Sequence, residues 1–324
     1  GRPRARCGLP ACLQHPPDAP RLHVWHHLDG SGHRMKTILE GMAVAARNGM
    51  NFGGCVAQQP GQNNRTDHGD DFAAEVDFLF GAGASGQLLF NVSFAPDRKY
   101  DAVRDLEQHT REFGPLESVL TTTNDWYYNY SEPVFDYFTP SLRSAVMAPT
   151  DAYPLRFAPG RPSVAMHVRR GDLPKTGHFS TRALPDEYFF RIVDLIRKHL
   201  PDADIHAWSS VRPDNGDERN RQWNVSDLDG FVGKGIQLHL DADGMPQGED
   251  LVSPWIHMSR ANVFIMSPSS FSGVPAYLNR NCVIYPGMLD RPFPGWTLGV
   301  EHERASYEAD LKRCLDAAHV GEAP

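Results

Sequence analysis

The chain lacks any long apolar run. No stretch of about 18 or more consecutive apolar residues interrupts its 324 residues, so nothing in it reads as a membrane span. No secretory signal is visible either. Basic charge is not in excess: 32 Lys and Arg stand against 40 Asp and Glu, a net charge of −8, which disfavours a nucleic-acid partner. Cysteine is scarce. Five residues, Cys7, Cys12, Cys55, Cys282 and Cys314, are an odd number and too few for a disulfide scaffold. There is no G-x-x-x-x-G-K-S/T, which argues against a P-loop kinase or sulfotransferase, and no G-x-S-x-G elbow for a hydrolase. No metal pattern stands out. His23, His26 and His27 have no Cys or carboxylate at ligand spacing and read as core or cleft-lining histidines. The D-x-D in "LDADG" (240–244) sits in a Gly/Pro loop and is discounted as a metal motif.

What is present is enough for a large core. Hydrophobic residues make up 40% and aromatic residues 10% of the chain. At about 100–200 residues per domain the length implies two domains. The chain starts at Gly1 rather than Met, which we read as a trimmed start. Four N-x-S/T sequons begin at Asn64, Asn91, Asn129 and Asn224 and point to a protein of the secretory lumen, with a bacterial cytoplasm as the alternative.

Residues 1–20 are Pro- and Arg-rich without periodicity and read as a disordered leader. "RLHVWHHL" (21–28) reads as a buried strand and "DGSGHR" (29–34) as a Gly-containing turn. Met35, Ile38, Leu39, Met42 and Ala46 then share one helical face, which Asn48-Gly49 ends. The polar stretch 58–71 reads as a surface loop, and the aromatic cluster 125–138 as packing rather than a sugar platform. "APTDAYPLRFAPGRP" (148–162) carries four Pro and marks the boundary between a domain of 21–155 and one of 156–324. In the second domain strands are expected at 163–168, 204–208, 235–240, 262–266 and 282–286. Helices are expected at 185–199, where Phe189, Ile192, Val193, Ile196 and Leu200 form the stripe, at 249–260 and within 269–279. Strands alternating with helices make an α/β fold with a parallel sheet, whose ligands bind at the carboxyl ends of the strands.

"VAMHVRRGD" (164–172) is such a strand end. Adjacent guanidiniums repel unless they share an anion, and their planar forks match phosphate oxygens. Arg169 and Arg170 are therefore the candidate anion site, with His167 bracing the turn or donating to a ligand and Asp172 capping or orienting an Arg. The alternatives are a solvated Arg pair balanced by Asp172 and an adhesive Arg170-Gly171-Asp172 tripeptide; the latter needs an exposed flexible tip, not the end of a core strand. "FIMSPSSFSGVPAYLN" (264–279) is a second strand-to-helix turn. Its helix N-terminus and the hydroxyls of Ser267, Ser269 and Ser270 form a potential anion cradle, with Phe271 and Ser272 opening the helix. The alternative is a Ser N-cap without a ligand.

The string H-V-R-R-G-D, followed about a hundred residues later by strand, S-S-F-S and helix, resembles the GT-B fucosyltransferases: the α-1,2-, α-1,6- and protein O-fucosyltransferases. "HHLDGSGHRMKTILEGMAVAARNGM" (26–50) is similar to their N-terminal Gly loop and helix, and "HMSRAN" (257–262) to the approach to their last motif. The resemblance covers three islands, about a quarter of the chain. It implies two Rossmann-like domains facing across a cleft, a glycan or glycoprotein acceptor near Gly30, Gly32 and His33, and GDP-fucose as the donor substrate, with no cofactor. Arg169, Arg170, His167, Asp250 and the turn Ser267 to Ser272 would hold the donor. Two departures bear on the acceptor. Gly273 and Val274 stand where the α-1,2 enzymes have two Trp, and His33-Arg34 where several relatives have Asn.

The implied reaction is an inverting displacement. Arg stabilises the charge developing on the leaving GDP, and a base, Asp172 or His178, takes the proton of the acceptor hydroxyl. The competing readings are a degenerate fold that binds glycan or protein without catalysis, and a transferase using another nucleotide sugar.

Overall fold

The computed structural model describes residues 19, 21–26, 30–47, 50–57, 72–81, 83–90, 98–100, 117–120, 154–171, 173–177, 179–211, 223–241, 252–287, 295–299 and 306–318. Asp172, His178, Asp243 and Asp250 lie outside them, as do the sequons at Asn64, Asn91 and Asn129, the stretch 58–71 and the aromatic cluster 125–138. The chain divides into two compact units, Gly1–Ala152 and Tyr153–Pro324. Both are mixed α/β, and every strand pairing among the described residues is parallel.

The first unit runs β1 (Arg21–His26), α1 (Ser31–Arg47), β2 (Asn51–Ala57), α2 (Phe72–Phe80), α3 (Ala84–Leu88), β3 (Leu89–Phe90), β4 (Arg98–Tyr100) and β5 (Glu117–Leu120). Its sheet has the order β3-β2-β1-β5-β4. The helical stripe of Met35, Ile38, Leu39 and Met42 is buried, together with Leu22, Val24 and Phe52 of the strands. Gly41 lets α1 lie close on the sheet: a Cβ there would sit 2.6 Å from Val24 Cγ1 and 2.7 Å from Phe52 Cε2. The expected turn over 29–34 is corrected. The helix begins at Ser31, because the N–H groups of His33 and Arg34 already donate to the carbonyl of Gly30. Gly32 and His33 therefore stand in the first turn of α1, not in a loop. That turn rests on α2: Arg34 lies 4.0 Å over the ring of Phe72, and Ser31 Oγ donates to Glu75 at 3.1 Å.

The second unit runs β6 (Ser163–His167), α4 (Asp186–His199), β7 (Asp204–Ser210), α5 (Asp229–Gly233), β8 (Gln237–Asp241), α6 (Val252–Arg260), β9 (Val263–Ile265), α7 (Ser270–Leu278), β10 (Cys282–Tyr285), β11 (Thr297–Leu298) and α8 (Tyr307–Ala317). The sheet order is β11-β10-β9-β6-β7-β8. Period-two alternation explains its two buried faces. Val164, Met166 and Val168 of β6 and its extension point to a core closed by Phe189, Ile192, Val193 and Ile196 of α4 and by Leu311 and Leu315 of α8. Ala165 points the other way, with Trp208, Phe264 and Met266, toward Met258 of α6 and Ala276 of α7. Each large aliphatic side chain so buried contributes about 1.5–3 kcal/mol.

Two features stitch these layers together. Cys282 and Cys314 form a disulfide that fastens α8 to β10, a pairing their spacing does not announce. Pro275 inside α7 has no N–H to give the carbonyl of Phe271, and Trp255 Nε1–H of α6 supplies the missing donor at 3.1 Å.

Candidate functional site

In the second sheet β6 has β7 on one side and β9 on the other. The chain path reverses between β6 and β9, and open parallel sheets place ligands outside the carboxyl ends of the strands at such a point. The H-V-R-R-G and S-P-S-S-F-S segments are the two turns that leave these strands, so the sheet brings both sequence motifs to one place.

The turns are bolted together by four side chains. Ser267 Oγ donates to the carbonyl of His167 at 2.5 Å and accepts the Arg169 N–H at 3.1 Å. Ser272, fully buried in the first turn of α7, pairs with His167 Nδ1 at 2.6 Å and accepts the Ser267 N–H at 3.2 Å. The His167 ring packs against Phe271, centroid to centroid 4.9 Å. Ser269 is the N-cap, its Oγ accepting the Phe271 N–H at 3.2 Å. His167, Ser267 and Ser272 are thus framework. Ser269 and Ser270 stand at the helix end itself, where the first N–H groups lack intrahelical acceptors.

The adjacent arginines part company. Arg169 is half-buried, and its Nη1 reaches over to the carbonyl of Pro268 at 3.2 Å, so it bridges the ends of β6 and β9. Arg170 is 2% exposed. Its Nη1 donates back to the Arg169 carbonyl at 2.9 Å and its Nη2 to Asp186 at 2.5 Å. Its guanidinium lies 4.6 Å over the ring of Trp223. Burial lowers its pKa from the ordinary value, and Asp186, then Asp227, oppose that shift. The fork of Arg170 is therefore turned inside the protein, where Asp186 is a carboxylate that balances it. Arg169 lies at the strand end with its backbone fixed on both sides: its N–H by Ser267, its carbonyl by Arg170.

A further layer holds the turn in place. Trp223 Nε1–H donates to the Leu173 carbonyl at 2.7 Å, and Lys175 pairs with Asp227 at 2.8 Å. That contact and the Asn224 N–H hold the Asp227 carboxyl below its usual range. Ser209 Oγ donates to the Val168 carbonyl at 2.6 Å, and the Gly171 N–H to the Ser210 carbonyl at 2.6 Å. Asp186 and Trp223 carry no mark in the sequence that ties them to Arg170. The only available signal is that Asp186 follows Pro185 at the start of a helix, where a carboxylate is favoured.

Gly30, Gly32 and His33 belong to the first unit. Among the described residues no group of three or more His, Cys, Asp and Glu is arranged to hold a metal ion, and no helix is long and apolar enough to cross a membrane.

No protein-family model and no curated protein matches the chain. Among solved structures, a crystal structure of POFUT1 in complex with GDP aligns with a TM-score of 0.37 at 9% identity, over 85% of this chain and 100% of that one. At this degree of similarity the likeness carries no weight for fold or chemistry.

Proposed function

We propose that this protein is a glycosyltransferase of the two-domain GT-B kind, which takes L-fucose from GDP-fucose and transfers it, with inversion, to a hydroxyl of a glycan or glycoprotein. The observation that carries this reading is Arg169, half-buried, fixed at both backbone ends, and spanning the two strand ends at the point where the sheet reverses direction. A diphosphate there meets a planar double donor on one side and the N-terminal N–H groups of α7 on the other. Ser269 and Ser270 flank it.

The chemistry asked of this chain is charge stabilisation. As the glycosidic bond to the nucleotide breaks, negative charge grows on the departing phosphate, and a preorganised guanidinium in a site shielded from water stabilises it. Arg169 supplies the positive charge in this reading without a metal ion. Asp172 or His178 would take the proton of the acceptor hydroxyl, and Asp250 would contribute to donor binding. Gly30, Gly32 and His33 would line the acceptor side. The Cys282–Cys314 disulfide and the exposed sequon at Asn224 support an oxidising, secretory compartment.

The test is a thermal-shift panel of GDP-fucose, GDP-mannose and UDP-sugars, followed by GDP titration calorimetry on wild type and Arg169→Ala. A charge-assisted hydrogen bond is worth about 1.5–3 kcal/mol, so the variant should lose roughly ten- to a hundredfold in GDP affinity. Arg169→Lys should recover part of it, keeping the charge without the fork. Unchanged affinity in Arg169→Ala overturns the site. Slow release of GDP from GDP-fucose without acceptor identifies an enzyme. Binding with no turnover on any acceptor identifies a glycan-binding or protein-binding module instead.

A further inference from the structure

On the opposite side of the second unit's sheet from α4, four cationic or imidazole side chains meet at β8, which ends the sheet order. Arg156 Nη1 lies 2.9 Å from His239 Nδ1, His239 Nε2 lies 2.8 Å from His206 Nδ1, and His206 Nε2 lies 3.1 Å from Asp204 Oδ2. The His206 and His239 rings are stacked, and His239 also stacks on Trp208 at 4.6 Å. A fourth contact joins them: the Arg156 N–H donates to His257 Nε2 at 3.1 Å, and His257 Nδ1 faces the Ser253 carbonyl at 2.7 Å.

The direction of every bond follows from the two ends. A guanidinium donates only, so His239 Nδ1 accepts and is bare. A neutral imidazole has one N–H, so His239 Nε2–H donates to His206 Nδ1. That nitrogen is then bare, and His206 Nε2–H donates to Asp204. His257 takes its proton on Nδ1 to meet the Ser253 carbonyl, leaving Nε2 to accept from the backbone. All three imidazoles are neutral, and each bare nitrogen faces a donor. A proton added to any of them sets donor against donor and breaks a bond.

These bonds anchor one stretch of chain, residues 154–158, with which the second unit opens. Besides the two Arg156 contacts, the Ala158 N–H donates to Asp204 Oδ2 at 2.7 Å, and Phe157 packs edge-on against His206 and His257. Asp204 also accepts from the Gln237 amide at 3.0 Å. Among the described residues, the charged and titratable groups that face the cluster are Arg156 on the lead-in segment, Asp204 and His206 on β7, His239 on β8 and His257 on α6.

We propose that this cluster is an acid-released latch: neutral imidazoles at His206, His239 and His257 clamp residues 154–158 to the β7–β8 side of the sheet, and their protonation frees the segment. The latch lies apart from the Arg169 turn and does not depend on what binds there. Burial is the main cause that lowers the pKa of all three histidines, and for His239, brought down to about 4, the charge that His206 takes on when protonated, the Arg156 guanidinium and the charge that His257 takes on when protonated add to it.

The experiment is hydrogen–deuterium exchange of the whole chain at pH 7.5 and 5.0, corrected for the intrinsic rate at each pH. With His239 alone near 4 in the clamped form and at the ordinary 6.5 when released, the released fraction rises about thirtyfold at pH 5.0. Protection in peptide 154–162 should fall by that factor while α4 keeps its own. Unchanged protection in 154–162, or equal loss in both peptides, overturns the latch. In His239→Gln the amide can still accept from Arg156 and donate to His206 but does not titrate, so the drop should shrink by the same factor of about thirtyfold. A drop in that variant equal to wild type also overturns the proposal, and the wild-type comparison stands by itself if the variant does not fold.

Discussion

Arg170 donates through Nη2 to Asp186 at 2.5 Å, and this contact separates the duties of two neighbouring arginines that the sequence presents as equals. The guanidinium of Arg170 is buried, whereas Asp186 keeps 29% of its side chain exposed. Deleting the arginine leaves a partly hydrated carboxylate; deleting the carboxylate leaves a buried cation. Asp186→Asn should therefore cost about 3 kcal/mol or more, and Arg170→Ala about 2–3 kcal/mol. Arg169→Ala should stay within about 1 kcal/mol of wild type. Urea unfolding of the three variants checks the order, and a costly Arg169→Ala beside a harmless Arg170→Ala would reverse the assignment.

Ser272 should matter more to stability than Ser270, although both belong to S-S-F-S. Ser272 Oγ serves His167 Nδ1 and the Ser267 N–H in a fully buried site. Ser272→Ala leaves both without that partner and should cost about 1–3 kcal/mol. Ser270 is half-buried at the start of the helix, and Ser270→Ala should change the melting midpoint little. Thermal melts of the two variants compare them directly.

Opening the Cys282–Cys314 bridge should destabilise the second unit. The cysteines are 32 residues apart, and closing a loop of that size restricts the unfolded chain by about 3–4 kcal/mol. The double variant Cys282→Ser, Cys314→Ser should melt roughly 10 °C lower. Wild type in reductant should approach the same midpoint; no shift in either sample would count against the bridge.

Global stability should fall on the acid side. A histidine whose folded pKa lies below its unfolded 6.5 binds fewer protons in the native state, so its stabilising effect is complete above pH 6.5 and is lost as pH drops toward the folded pKa. With His239 at about 4, the loss from that residue at pH 5 has an upper bound of about 2 kcal/mol, reduced by solvent screening at this half-buried ring. His206 and His257, shifted in the same direction, add to it. Urea midpoints between pH 7.5 and 5 should decline for wild type and less steeply for His239→Gln.

Much of the second unit was legible because its elements announce themselves locally. The stripe on α4 and the apolar runs of β6, β7, β9 and β10 need no distant partner to be recognised. β2 was not, since "NFGGCVA" holds two glycines, and their reason for being there is tertiary: Gly53 lies under the His23 ring and Gly54, at φ +100°, against the Leu88 backbone. α8 escaped notice because its buried face, Tyr307, Leu311, Cys314 and Leu315, is diluted by seven other residues in "YEADLKRCLDA", most of them charged. At the site, chemistry read from residue types singled out two turns that the sheet places side by side, but not the split between Arg169 and Arg170. That split depends on Asp186 and Trp223, which reach Arg170 only once the chain has folded. The histidine chain was equally invisible, because His206, His239 and His257 come from three different elements.

The place of β6 in its sheet also bears on how the protein comes to be made. Val164 pairs with Val263, and the intervening strands β7 and β8 occupy only one side of β6. A growing chain that has emerged as far as β8 therefore carries its central strand with one bare edge, hydrophobic on both faces, until β9 arrives about a hundred residues after β6. Pairings this distant close late and slowly. An unpaired apolar edge is also a template for joining another chain. Fragments cut between β8 and β9 should accordingly aggregate, whereas the intact second unit buries that edge from both sides.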